Sequence, residues 1–132
     1  MGRRDRKRRQ RKNPRKNRQR IRHHNHTLGR ISLRYKLRLG HSHLGEIISL
    51  IRKNRSEKVQ FVKDGRVEGS AIYIVIFCGV AMPFVYHARE RWLITCLRLG
   101  KLLRSLHNDQ EIELRAWLTE KGINTSAPPY SY

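Results

Sequence analysis

Three side chains near the start of the chain, His26, Arg30 and Arg34, stand four residues apart. On a helix this spacing places them along one stripe. An imidazole can transfer a proton near neutral pH, and guanidinium groups can hold phosphate oxygens together with the charge that develops on them in a transition state. The stripe therefore suits work on a phosphodiester. In a chain with 30 Lys and Arg residues it also suits a solvated or RNA-binding face, and spacing alone leaves both interpretations open.

The charge of the chain points to a polyanionic partner. The 132 residues carry a net charge of +20, and residues 1–22 account for +12 of it. Such a field attracts nucleic acid and speeds its encounter with the protein. Residues 1–22 cannot bury apolar area, so we expect a disordered, Arg-rich, phosphate-binding arm. Its expected contacts are Arg3, Arg4, Arg6, Arg8, Arg9, Arg11, Arg15, Arg18, Arg20 and Arg22.

Two helices are predicted to carry and support the stripe. Apolar residues recur every three or four positions up to residue 39, which predicts a helix beginning near residues 24–27 and ending near Gly40. A second helix is predicted at residues 42–54, with Ser42 as its N-cap and Asn54 at its end.

The most apolar stretch, residues 71–97, is predicted to form strands rather than a membrane span. A spanning helix needs about 20 mostly apolar residues, and this stretch instead holds Gly79, Pro83 and many β-branched and aromatic residues. Asp64–Gly65 predicts a two-residue hairpin, and Pro83 indicates an edge strand or a bulge. The predicted strands are residues 58–63, 71–77, 80–86 and 92–97, with a turn at Cys78–Gly79.

The remainder completes an α+β domain: N-terminal helices, a small antiparallel β-meander of about four strands, and C-terminal helices at residues 99–106 and 110–121. We expect one domain at residues 23–122 and an irregular tail at residues 123–132. Cys78 and Cys96 are expected to be buried free thiols. The histidines lack carboxylate or Cys partners at fixed spacing, so no metal and no cofactor are expected.

The order of these segments resembles the barnase–EndoU–colicin–RelE superfamily of small phage and toxin proteins, which includes metal-independent endoribonucleases. The resemblance covers about residues 24–98. It rests on the HxxxRxxxR spacing, a second helix reading LGEIISLIRKN, and strands ending in VYHARERWLITCL. It implies that Tyr86, His87 and Thr95 join His26, Arg30 and Arg34 in a catalytic site, although relatives often have Asp where His87 stands. It also implies attack by the RNA's own 2′-hydroxyl, leaving a 2′,3′-cyclic phosphate.

The expected partner is RNA, with ribosomal or transfer RNA as candidates, and the resemblance adds a cognate inhibitor and the cytoplasm of a bacterial or phage-infected cell. An alternative is a non-catalytic nucleic-acid-binding protein: a packaging, ribosome-associated or regulatory factor. A third is a basic membrane-associated peptide. Cleavage of RNA in EDTA, abolished by His26→Ala and Arg30→Ala, would separate the first from the second.

Overall fold

A computed structural model describes residues 13–54 and 57–131, and within these ranges it has the predicted α+β class. The strands form one antiparallel sheet in the order β1-β2-β3-β4. The elements are α1 (Pro14–Tyr35), α2 (His41–Lys53), β1 (Val59–Asp64), β2 (Ser70–Phe77), β3 (Val80–His87), β4 (Trp92–Cys96), α3 (Leu99–Arg104) and α4 (Asn108–Glu120).

The first helix begins ten residues earlier than its apolar pattern predicted. Its N-cap is Asn13, whose side chain accepts a hydrogen bond from Lys16 N at 3.1 Å, and Pro14 occupies the first helical position. Residues 14–22 of the predicted arm are therefore helical, and the expectation of disorder there is wrong. Residues 1–12, with the arginines from Arg3 to Arg11, lie outside the described residues.

The other helix boundaries shift for local reasons. α1 ends at Tyr35 rather than near Gly40, because Lys36 takes a left-handed conformation with φ of 58°. Gly40 rather than Ser42 is the N-cap of α2, and its N–H donates to Nδ1 of His43 at 2.9 Å. Asn54 caps the end of α2, as predicted.

The sheet has two differently covered faces. α2 packs on one, the α2 face, where His43 and Phe77 have ring centroids 6.0 Å apart. α3 lies over part of the other, the cleft face. By strand alternation and pairing, the α2 face carries Tyr73, Val75, Phe84, Tyr86 and Leu93. The cleft face carries Ile72, Val85, His87, Trp92 and Thr95.

α1 covers the outer edge of β4. An open strand edge presents unpaired backbone groups, and two side chains of α1 bond to such groups of β4, while a third bonds a carbonyl just beyond the strand's end. His24 Nε2 accepts Leu93 N–H at 3.3 Å. Arg34 Nη1 donates to Cys96 O at 2.7 Å, and Tyr35 Oη donates to Leu97 O at 2.6 Å. The helix that carries the predicted stripe is thus fixed to the last strand along most of that strand's length.

Pro83 lies in an inner strand, which contradicts the prediction of an edge or bulge position. β3 pairs with both β2 and β4, and its bulge with β4 falls between Val85 and Tyr86. Pro83 O accepts Leu97 N–H at 2.8 Å, so the ring nitrogen points the same way, just beyond the end of β4. The N–H that proline lacks is replaced there by the hydroxyl of Tyr35, which bonds Leu97 O.

Two turns were predicted from the sequence, and the structure confirms one and contradicts the other. Cys78 and Gly79 form the predicted two-residue turn, with φ of 53° and 73°. Asp64 instead ends β1, and the connection to β2 runs over residues 65–69, closed by a Gly65 N–H bond to Ser70 O at 2.9 Å. Cys78 is exposed at its turn, whereas Cys96 is buried as expected.

The C-terminal segment packs against the domain rather than trailing from it. Ile123 and Tyr130 are buried, and Tyr130 Oη accepts Ala81 N–H at 3.0 Å. In α4, Leu114 and Leu118 are buried while Ile112 is exposed. No helix among the described residues is both long enough and apolar enough to cross a membrane.

Candidate active site

His26 and Thr95, the two ends of the predicted site, meet at the junction of α1 and β4. His26 Nε2 lies 3.2 Å from Thr95 Oγ1. His26 is exposed on α1, and Thr95 is half-buried on the cleft face. The pair is therefore open to solvent, and its contact depends on the edge bonds that hold α1 along β4.

Two further imidazoles surround Trp92 on the same side of the sheet. The Trp92 ring centroid lies 5.4 Å from that of His23 and 6.4 Å from that of His87. Burial, followed by the charges of His26, Arg22 and His87, lowers the pKa of His23. His23 is thus favoured in its neutral form. The site contains His23 and Trp92, which the sequence reasoning did not select, although His23 lies three residues before His26 on the same helix.

His87 is held in place by the β3–β4 turn. Its Nδ1 accepts the Glu90 N–H at 3.2 Å, so the neutral ring carries its proton on Nε2. Gly69 lies close behind: a Cβ there would stand 3.3 Å from His87 Cε1, tighter than most such contacts. Gly69 also has a φ of 81°, so this position suits glycine on both counts.

The two arginines of the stripe differ in what they contact. Arg34 is half-buried, with Nη1 bound to Cys96 O and with Nε buried and lacking a hydrogen-bond partner among the described residues. Burial, then the charges of Arg30 and Arg98, lowers the pKa of Arg34. One nitrogen of its guanidinium is therefore used in a structural hydrogen bond, but the residue also lines a cleft that is described below. Arg30 lies one turn earlier and is half-buried.

Tyr86 does not join the site. Neighbouring residues on a strand point to opposite faces, so Tyr86 lies on the α2 face while His87 lies on the cleft face. Its side chain is 5% exposed and packs edge-on against Tyr73, with ring centroids 6.4 Å apart. Burial raises the pKa of Tyr86, and nearby Arg52 and Arg91 oppose that shift.

A cationic cleft of about 620 Å³ opens beside Thr95. It lies between the cleft face, the β1–β2 connection and α3. Its apolar lining is Ile72, Val85, Ile94, Leu97, Leu102 and Val67. Its basic lining is Arg34, Lys63, Arg66, Arg98 and Lys101, against Asp64 as the acidic lining residue.

The remaining predicted phosphate contacts that the structure describes, Arg15, Arg18, Arg20 and Arg22, are exposed on the first half of α1. They lie on the same helix as His26 and precede His24, the first residue of α1 that bonds β4. Within residues 13–54 and 57–131, no group of three or more His, Cys, Asp or Glu side chains is arranged to hold a metal ion.

Comparison of the chain with protein-family models, with curated proteins and with solved structures finds no match.

Proposed function

We propose that this protein binds RNA and cleaves it as a metal-independent endoribonuclease at the His26–Thr95 pair. The supporting observation is that this open pair, 3.2 Å apart, lies beside His23 and His87 and next to a cationic cleft. The resemblance to the barnase–EndoU–colicin–RelE superfamily is part of the same proposal.

The reaction needs two proton transfers and support for a charged phosphorus centre. A neutral imidazole accepts the 2′-hydroxyl proton as the 2′-oxygen attacks phosphorus. The bond from phosphorus to the 5′-oxygen breaks, and a second group delivers a proton to that leaving oxygen. The products are a 2′,3′-cyclic phosphate and a 5′-hydroxyl. His23, His26 and His87 are the candidate proton carriers, and the lowered pKa of His23 favours its neutral form, which is the form that can accept a proton.

The charged groups suit the electrostatic part of that reaction. Arg30 stands one helical turn from His26, where it can hold a phosphate oxygen as charge develops. Arg34 follows one turn later and lines the cleft, with Nη1 already bound to Cys96 O. The basic residues that line the cleft fit phosphates, and its apolar lining residues offer contact to a base.

A second candidate function is RNA binding without cleavage. It is favoured by the structural contacts and positions of two residues that were predicted to be catalytic. Arg34 supports the β4 edge, and Tyr86 lies across the sheet. A cationic cleft binds RNA whether or not the imidazoles transfer protons. Ribosome-associated, packaging or regulatory roles remain within this alternative.

Incubation of the purified protein with RNA in EDTA tests the first candidate against the second. Cleavage to 2′,3′-cyclic phosphate ends, lost in His26→Ala while RNA binding persists, supports the enzyme. Intact RNA that is still bound by the wild-type protein supports the binding protein.

A further inference from the structure

The first half of α1, residues 14–22, is a strongly basic helical segment that precedes the residues hydrogen-bonded to β4. It carries Arg15, Lys16, Arg18, Arg20 and Arg22, all exposed, and no acidic residue. Like charges three and four residues apart repel one another on a helix. A polyanion bound along this surface removes that repulsion, so the segment is suited to a dense array of phosphates.

Local sequence and tertiary contacts fix this segment relative to the active site. The Asn13 cap and Pro14 start the helix, which continues unbroken into the part bonded to β4. Lys16 Nζ forms an ion pair with Glu90 Oε2 at 3.2 Å. The backbone N–H of Glu90 in turn bonds His87, so one turn contacts both the basic segment and the site.

The basic side chains are aligned with the candidate catalytic residues. Arg15, Arg18, Arg22, His26 and Arg30 follow the spacings of three and four that keep residues on one side of a helix. At 1.5 Å per residue, Arg15 and His26 are about 16 Å apart along the axis. Phosphates bound by the first three arginines are therefore held at a set distance from the site.

The chemistry of the segment favours a backbone-reading partner. Residues 14–22 contain no aromatic side chain, and stacking on aromatic rings is how proteins hold unpaired bases. Ile21, 46% exposed, is the large apolar residue there, so the segment lacks the apolar face that a membrane-surface helix inserts. Duplex RNA is recognised mainly through shape, phosphates and 2′-hydroxyls, which suits guanidinium groups on a rigid helix.

We propose that the substrate is an RNA in which a double-stranded stem adjoins an unpaired segment. The stem phosphates bind Arg15, Arg18 and Arg22, and α1 delivers the adjoining unpaired strand to the His26–Thr95 pair. This inference rests on the proposed function for what happens at that pair. The stem preference itself is a binding property that is measured independently of cleavage.

The test compares binding of a hairpin RNA that has an unpaired 3′ extension with binding of an unpaired RNA of the same total length, in EDTA, with His26→Ala protein as well as wild type. The hairpin-bearing RNA is expected to bind at least tenfold more tightly to both proteins. Arg15→Gln with Arg18→Gln should remove most of that preference and lower the salt slope by about two. Gln19→Pro should also remove it, because proline breaks the helix at unchanged charge. Gln19→Ala, which keeps the helix, is the matched control.

The position of cleavage gives the second readout. Moving the stem by one or two nucleotides should move the cut by the same amount in the wild-type protein, and Gln19→Pro should spread the cuts. Stem preference without any cleavage would overturn the proposed function and leave the duplex contact standing. Cleavage with equal affinity for the two RNAs, or with cuts that ignore the stem, would overturn the inference. So would tighter binding to phosphatidylserine vesicles than to the hairpin.

Discussion

The backbone N–H of Leu93 donates a hydrogen bond to Nε2 of His24, 3.3 Å away, and this bond closes the edge of β4. His24 is only 7% exposed. Burial, followed by the charges of His41, Arg20 and His23, lowers its pKa from 6.5 to about 4. The neutral ring, with its proton on Nδ1, is therefore the form that holds α1 on the sheet.

Stability should fall in acid through His24. The folded-state pKa of His24 lies below its unfolded value, so its contribution to stability is complete above pH 6.5. That contribution is lost as pH falls from 6.5 to about 4, because over this interval the unfolded chain takes up the proton before the folded chain does. At about 1.4 kcal/mol per pKa unit, the loss is about 3 kcal/mol. His23, whose pKa is also lowered, adds in the same direction.

Urea unfolding at about pH 7 and about pH 4.5 measures most of this loss, because these pH values cover most of the interval between the unfolded and folded pKa. His24→Gln keeps an acceptor for Leu93 N–H but does not titrate, so it should lose much less stability than wild type. His107→Gln, at an exposed position, should behave as wild type. An equal acid loss in His24→Gln and wild type would refute the assignment.

Tyr35 compensates for Pro83, which predicts that the two residues are energetically coupled. Tyr35 Oη donates to Leu97 O at 2.6 Å and accepts Leu99 N–H at 3.0 Å. Tyr35→Phe should lower the free energy of unfolding by about 1–3 kcal/mol, because buried polar groups lose their partner. In a Pro83→Ala background the loss should be smaller, since residue 83 then has an N–H for Leu97 O. Additive losses in a double-mutant cycle would contradict the coupling.

Substitution of Arg34 should lower the free energy of unfolding more than the same substitution of Arg30. Arg34→Met removes a charge-assisted bond to Cys96 O and should cost about 1–2 kcal/mol in the free energy of unfolding. Arg30→Met, the matched change one turn away, should stay within about 0.5 kcal/mol while weakening cleavage. Denaturant unfolding and an RNA cleavage assay on both variants check this. A larger loss of stability in Arg30→Met than in Arg34→Met would contradict the structural role assigned to Arg34.

The cleft should supply part of the RNA affinity. Arg98 and Lys101 line it from the α3 side, and exchanging both for Gln should weaken RNA binding and reduce the salt slope by about two. Lys53→Gln, at the end of α2 on the other side of the sheet, is the control and should change the slope by less than one. Binding isotherms at several salt concentrations measure both. An unchanged slope in the Arg98 and Lys101 double variant would exclude the cleft as a phosphate contact.

The features predicted correctly from the sequence are those that depend on residues close together along the chain. The Cys78–Gly79 turn, the strands beside it and the Asn54 helix end all follow from turn and cap chemistry that neighbouring residues determine. The start of α1 was missed because charge-rich residues show no apolar period. Asn13 and Pro14 nevertheless carried a start signal.

What the sequence did not predict depends on tertiary contacts. Proline is expected at a sheet edge because an inner position leaves a neighbouring carbonyl without an N–H donor. Here that carbonyl is Leu97 O, and the hydroxyl of Tyr35 donates to it instead. His24 and His23 gain their contacts with Leu93 and Trp92 only once α1 lies against β4. The separation of Tyr86 from His87 was predictable, because adjacent strand residues face opposite ways.

Cleavage of RNA in EDTA by the wild-type protein, compared with His26→Ala, measures whether His26 is needed for the proposed ribonuclease activity. The chosen control is Thr95→Val, which removes the hydroxyl bound to His26 at nearly constant volume and should slow cleavage less than loss of the imidazole. We expect 2′,3′-cyclic phosphate ends with wild type, a loss of cleavage of at least about 100-fold in His26→Ala, and RNA binding kept in both. RNA left whole by wild type, or cut equally by His26→Ala, would contradict it.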